Sequence, residues 1–164
     1  MQQNGYEADK NHVFVLPSLE RASSPTRAFA CAGDGGKGTW DRSPSSVCFA
    51  ADSKTLLVTA EDQGHLRLYG FRADLKNDTR PRPLTATGAV TDVKPLIDGK
   101  VFISGSSIID NSFFAILDPA ANSQEQPSGM ASIVWSDSNS QHGKKFGLKP
   151  EQVSSVWTPA SNQK

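Results

Sequence analysis

Two cysteines in 164 residues, Cys31 and Cys48, are too few to build a disulfide framework. One bond between them is the most they allow. No CxxC pair or Cys/His cluster accompanies them, so no metal site is expected, and both thiols read as small, half-buried strand residues. Charge of one sign is also missing: Lys and Arg number 17, Asp and Glu 17, and the formal net charge is zero. That balance removes the electrostatic case for nucleic acid or an anionic membrane as partner. No apolar run approaches the roughly 18 residues of a membrane-spanning helix. The opening MQQNGYEADKNHVFV has no basic stretch followed by an apolar one, so no secretory signal is expected in it. Nor does any long window carry apolar residues at i, i+3, i+4 spacing, which leaves no amphipathic helix to predict.

Catalytic motifs are equally scarce. There is no G-x-S-x-G elbow; the nearest stretch, Gly105-Ser106-Ser107, lacks the second glycine. The three histidines, His12, His65 and His142, are scattered and outside any ligand-spaced or triad-like arrangement. The loop Gly33-Asp34-Gly35-Gly36-Lys37-Gly38-Thr39 superficially looks like a phosphate cradle. A P-loop, however, needs Ser or Thr directly after Gly-Lys and a helix beyond it, and here Gly38 intervenes and Trp40-Asp41-Arg42-Ser43-Pro44 follows. No cofactor is expected.

What the sequence does contain is a series of short apolar runs of period close to two. They are His12–Leu16, Val47–Phe49, Leu56–Ala60, Leu66–Phe71, Val101–Ser104, Phe113–Leu117 and Ser132–Trp135. Rich in β-branched and aromatic residues and bounded by Gly, Pro, Asp and Ser, they predict an all-β fold. Two stretches repeat each other: Asp52-Ser53-Lys54-Thr55-Leu56 matches Asp98-Gly99-Lys100-Val101-Phe102, 46 residues later. At the same offset Val47 meets Val93, Val58 meets Ser104, Leu68 meets Phe114 and Phe71 meets Leu117. A period in the forties with several strands per unit is the pattern of β-propeller blades, each of which needs neighbours to cover both its faces. A β-sandwich is the rival at this point.

Two clusters stand out as candidate sites. Trp40-Asp41-Arg42-Ser43-Pro44 gathers an aromatic, an acid, a guanidinium and a turn-forming Ser-Pro before a strand. It reads either as a substrate-facing loop or, more in keeping with paired Arg and Asp, as a turn that fixes the edge of a blade. Glu61 and Asp62 end a strand and read either as a negative patch for a substrate amine or as a solvated turn before Gly64.

In order, Trp40–Pro44, Asp52–Leu56, Ala60-Glu61-Asp62, Leu66–Tyr69 and Gly88–Asp92 resemble the propeller of the fungal dipeptidyl peptidase V group. That group lies in the acylaminoacyl-peptidase-like branch of the prolyl oligopeptidase family. The resemblance is densest over 39–71, thin over 120–147, and departs at His65 and at the glycine insert. It implies a partial β-propeller of about two to three four-stranded antiparallel blades. The end of one blade with the glycine loop would occupy 1–38, blades 39–84 and 85–148, and a linker strand toward an absent α/β-hydrolase domain 149–164. It further implies a secreted serine exopeptidase releasing N-terminal dipeptides, with its triad in that absent domain, so the chain alone is expected to be inactive. In that setting Glu61, Asp62 and Arg42 are candidates for the substrate cavity. Asn77, in Asn77-Asp78-Thr79, becomes a candidate glycosylation site. Peptide is then a partner only of the full-length protein. The alternative is a stand-alone module that pairs with another chain through exposed blade edges.

Overall fold

A computed structural model of the chain describes residues 11–16, 18, 24–28, 40, 42–73, 81, 83–86, 88–119, 132–136, 150–156 and 158. Cys31, the glycine insert, Asp41, Asn77 and His142 lie outside them. The described residues are all-β, with a single turn of 3-10 helix at Pro150–Gln152. Residues 153–156, expected as a linker strand, have no regular structure, and Val156 is exposed.

A short hairpin, β1 (Phe14–Val15) with β2 (Thr26–Arg27), lies beside a seven-stranded sheet. That sheet runs β3 (Pro44–Phe49), β4 (Thr55–Asp62), β5 (His65–Arg72), β6 (Ala89–Pro95), β7 (Val101–Ser106), β8 (Phe113–Leu117) and β9 (Ser132–Ser136) in chain order. It is two antiparallel units rather than one continuous ladder. The units β3–β5 and β6–β9 are joined by one parallel pair, Leu66 with Ala89. In the first unit a fourth segment follows β5 only through a bridge between Tyr69 and Pro83. Pro83 has no N–H to continue the ladder, and Leu84 N–H instead donates to Leu68 O at 2.7 Å.

The sequence repeat reappears as repeated geometry. Both units carry a register irregularity at the same place, between Pro44 and Ser46 and between Val90 and Asp92. Both turn with an aspartate cap: Asp52 Oδ1 accepts from Lys54 N–H at 2.9 Å, and Asp98 Oδ1 from Lys100 N–H at 3.2 Å. Ser53 N–H donates to Ala50 O and Gly99 N–H to Leu96 O, and both donors sit at positive φ, 53° and 84°. That backbone is easy for glycine and tolerated by Ser53 because the aspartate fixes the turn around it. The cap also holds the Asp52 carboxyl down to about 2, first through the Lys54 N–H and then through Thr55.

Turn length corrects the pairing read from sequence. The first turn closes between Ala50 and Thr55, the second between Leu96 and Lys100, one residue sooner. Within β7 the match to β4 is therefore displaced by one residue. Val58 pairs with Val47 and Ile103 with Val93, so Val58 corresponds to Ile103 and not to Ser104. In β8 the sequence match holds: Tyr69 pairs with Val58 as Ala115 pairs with Ile103. A one-residue slip exchanges the two faces of a strand, and here it decides which side chains of β7 enter the core.

Two buried layers result. On one face of the first unit, Leu56, Val58, Ala60, Tyr69 and Phe71 pack with Trp40, Val13 and Ala28. On its other face, Leu57 and Leu68 pack against Val90, Val101, Ile103, Ala115 and Leu117 of the second unit. β4 is consequently buried on both sides over Leu56–Ala60, while β7 alternates buried and half-buried. The far face of the second unit presents Phe102, Phe114 and Trp135, with ring centroids 6.0 and 5.7 Å apart in succession. Phe114 is 37% and Trp135 39% exposed.

Gly105, on β7, is flanked by Ala89 of β6 and Phe113 of β8. A Cβ there would lie 2.4 Å from Ala89 O and 2.5 Å from the Phe113 ring. Gly105→Ala is expected to destabilise the chain by about 2 kcal/mol, as overpacking of a filled core does, measured by urea unfolding. Unchanged stability would mean that β6 and β7 are not in this register. The same placement explains Gly105-Ser106-Ser107 without catalysis. Gly105 and Ser106 end a strand, and Ser107 Oγ accepts from Ile109 and Asp110 N–H at 3.2 and 3.0 Å.

Candidate functional site

The β4–β5 hairpin turns through two residues, Gln63 and Gly64, with φ of 55° and 75°. Two successive positive φ angles are those of the tight turn whose twist suits antiparallel strands. The turn fixes Asp62 opposite His65, Ala60 opposite Arg67 and Val58 opposite Tyr69. By alternation Asp62, Arg67 and Tyr69 then share the face on which Trp40 is buried.

Arg42, just before β3, completes the group from a segment 20 residues away. Its Nε and Nη2 both donate to Asp62 Oδ1, at 3.0 and 2.5 Å. Tyr69 OH donates to Asp62 Oδ2 at 3.0 Å, and Arg67 Nη1 stands 3.4 Å from the same oxygen. Burial alone would raise the Asp62 carboxyl, whose side chain is 11% exposed. The hydrogen bonds from Arg42 and Tyr69 and the charges of Arg42 and Arg67 outweigh it, so the group is held below the ordinary carboxylate range. Tyr69 moves the other way, up to about 12, because burial and the adjacent Asp62 both penalise the phenolate.

Under this polar group Trp40 meets Tyr69 and Phe71 edge to face, with ring centroids 5.3 and 5.0 Å away. Edge-to-face packing sets the positive ring edge against a π face, the favoured arrangement of aromatic pairs. A cleft of about 480 Å³ adjoins the group, lined by Arg42, Asp62, Arg67 and Tyr69 together with Trp40, Pro81 and Pro83.

The structure thus brings Trp40, Arg42 and Asp62 together. Glu61 is exposed on the opposite face of β4, opposite Leu66, away from the cleft. Ser43 Oγ accepts from Asn11 N–H at 3.0 Å and Pro44 O from Asn11 Nδ2 at 3.2 Å, so this pair secures the segment before β1. Arg67 and Tyr69 escaped the sequence reading. The signal for them was the two-residue turn, from which their register with Asp62 follows. Among the described residues no cluster of His, Cys, Asp and Glu has the makings of a metal site.

No protein-family model matches the chain, and no solved structure does. Curated relatives do. Over 157 residues, 96% of this chain, it is 30% identical to the probable dipeptidyl-peptidase 5 of Aspergillus clavatus. The chain is related to the fungal dipeptidyl-peptidase 5 proteins. It is also 33% identical over 111 residues, 68% of its length, to dipeptidyl-peptidase 5 of Aspergillus fumigatus. With the probable dipeptidyl-peptidase 5 of Trichophyton verrucosum the match runs over the whole chain at 25% identity. The chain spans only about a fifth of the length of the dipeptidyl-peptidase 5 relatives that it matches nearly end to end, 19% and 20%. At 96% of the chain, the Aspergillus clavatus match takes in both repeated units. Relatedness to dipeptidyl-peptidase 5 therefore belongs to the paired units and not to one strand or turn.

Proposed function

We propose that this chain is a non-catalytic portion of the β-propeller of a serine-type dipeptidyl peptidase. The observation that carries the reading is the way the two units stack. Leu57 and Leu68 on the trailing face of the first unit lie against the leading face of the second. Their structural equivalents in the second unit are Phe102 and Phe114, which lie on its partly exposed aromatic face. Each unit therefore offers its successor the same face, the head-to-tail relation from which blades are built. Residues 39–84 and 85–148 are the two blades in this reading. The preceding hairpin stands where an earlier blade would cover Tyr69 and Phe71.

In the whole protein the substrate is a peptide, the product an N-terminal dipeptide, and the location extracellular, with Asn77 available for glycosylation. Arg42 and Asp62 line the cleft beside the blades, and Glu61 lies on the other face of its strand. The 164 residues contain no G-x-S-x-G elbow, so the chemistry belongs to another part of such a protein. The purified 164-residue chain is expected to show no serine-inhibitor-sensitive hydrolysis of dipeptide-linked chromogenic substrates. Turnover abolished by a serine-directed inhibitor would overturn the assignment. Reading the genomic frame beyond Lys164 supplies the companion result: a G-x-S-x-G elbow and a later His support it. A stop codon with expressed protein favours a binding module that uses the Phe102–Phe114–Trp135 face.

A further inference from the structure

β3 forms one long edge of the seven-stranded sheet: among the described residues its only ladder neighbour is β4. The direction of its remaining backbone groups follows from that pairing. Ala50 N–H donates to Thr55 O at 2.7 Å, so the hydrogen-bonded pairs recur at Cys48 with Leu57. By alternation the N–H and C=O groups of Val47 and Phe49 point away from β4. The side chains of Val47 and Phe49 stand opposite Val58 and Leu56 and continue that buried layer to the edge, where they are 49% and 47% exposed. Charged residues and proline on an edge strand discourage the addition of another strand. β6, the counterpart of β3 in the second unit, has both: Asp92 and Lys94 are exposed, and Pro95 ends the strand. From Ser45 to Phe49, β3 has neither.

From this geometry we propose that β3 pairs with β3 of a second copy of this chain, antiparallel about a two-fold axis at Cys48. Such a contact requires the strand to complement itself. With Cys48 opposite its own copy, Val47 falls opposite Phe49 of the other strand, and Phe49 opposite Val47. Outward backbone groups then meet outward backbone groups, and each pair exchanges both of its N–H···O bonds. The same register sets aromatic against β-branched side chains on one face, a cross-strand contact that stabilises antiparallel strands. Centring the axis on Val47 would set Phe49 against Ser45, and centring it on Phe49 would set Val47 against Ala51, so the apolar match singles out Cys48. A hydrophilic peptide would gain the backbone bonds but leave Val47 and Phe49 in water. The contact is one strand long and smaller than a standard interface, so the pair is weak and depends on concentration. This inference concerns the chain itself and does not rest on the propeller reading.

Sedimentation velocity of the 164-residue chain, under reducing conditions from about 1 to about 200 µM, should show a monomer–dimer equilibrium. Val47→Lys sets like charges beside the axis and should weaken association by about tenfold or more. Val134→Lys, on the strand at the opposite edge of the sheet, adds the same charge and should leave association unchanged. Both valines are exposed, so neither substitution burdens the core. In a Cys31→Ser background, oxidation with copper phenanthroline should yield a dimer linked through Cys48, because opposite residues that exchange no backbone bonds lie closest together. The proposal is overturned if the chain stays monomeric throughout this range, if Val47→Lys associates as the parent does, or if no link forms through Cys48.

Discussion

Trp40→Ala should cost about 4 kcal/mol of stability, the largest loss expected from any single substitution here. The side chain is 2% exposed and packs edge to face on both Tyr69 and Phe71. Truncating a buried aromatic removes its transfer free energy and leaves a cavity, together about 3–5 kcal/mol in well-packed sites. At this site collapse is restricted, because Tyr69 is held by its hydrogen bond to Asp62 and by pairing with Val58. Its rings cannot simply close over the gap. In a chain of this size the loss corresponds to a melting temperature lower by on the order of 10 °C. Trp40→Phe restores part of the contact and should recover about half of the loss. Denaturant unfolding of the parent and both variants measures it. A loss below about 1 kcal/mol would mean that Trp40 does not cover the first unit.

Asp62→Asn comes next, with an expected loss of about 2–3 kcal/mol. Removing the carboxylate on which Arg42 and Arg67 both close breaks a largely buried charge cluster. The partial exposure of Arg42 and Arg67 keeps the figure below that of a fully enclosed pair. The substitution also changes the pH dependence. Asp62 titrates below its ordinary value in the folded chain, so its contribution is fully present above about pH 4, the value of an unfolded aspartate. It is lost as pH falls through the lower folded value. Asp52, held at about 2, adds to the same acid limb. The Asp62→Asn variant should therefore lose stability at pH 7 and show a shallower acid decline below about pH 4 than the parent. Stability against pH for both proteins decides it, and parallel acid limbs would show that Asp62 is not the anchor of the group. Asp62→Asn combined with Arg67→Gln should cost less than the sum of the two, because they share one interaction.

Much of this fold could be read from residues alone, because each strand is a short apolar alternation ended by Asp, Gly, Pro or Ser. The runs at Leu56–Ala60, Leu66–Phe71 and Phe113–Leu117 lie inside β4, β5 and β8. The Asp52 and Asp98 turns marked the repeat because each aspartate makes a local bond to the backbone two residues on. The slip in β7 was illegible. It depends on which carbonyl closes a turn, and Asp98-Gly99-Lys100 permits closure at Lys100 as readily as one residue later. Of the β1–β2 hairpin, β1 lies inside the run His12–Leu16, whereas β2 was missed because a two-residue strand carries no period. At the site, Arg42 and Asp62 each stood out, but their bond depends on β3 lying beside β4. Arg67 looked like any solvent-facing strand residue until the Gln63-Gly64 turn put it across from Ala60.

Head-to-tail stacking requires one particular face of β7 to meet the first unit, and side-chain contacts observed by nuclear Overhauser spectroscopy in the methyl-labelled chain test that directly. Cross-peaks are predicted from the methyl groups of Leu57 and Leu68 to those of Val101, Ile103 and Ala115, with Phe102 and Phe114 contacting each other and Trp135 instead. Cross-peaks from Leu57 or Leu68 to the rings of Phe102 or Phe114 would place the opposite face of β7 inward and contradict the head-to-tail stacking of the two units.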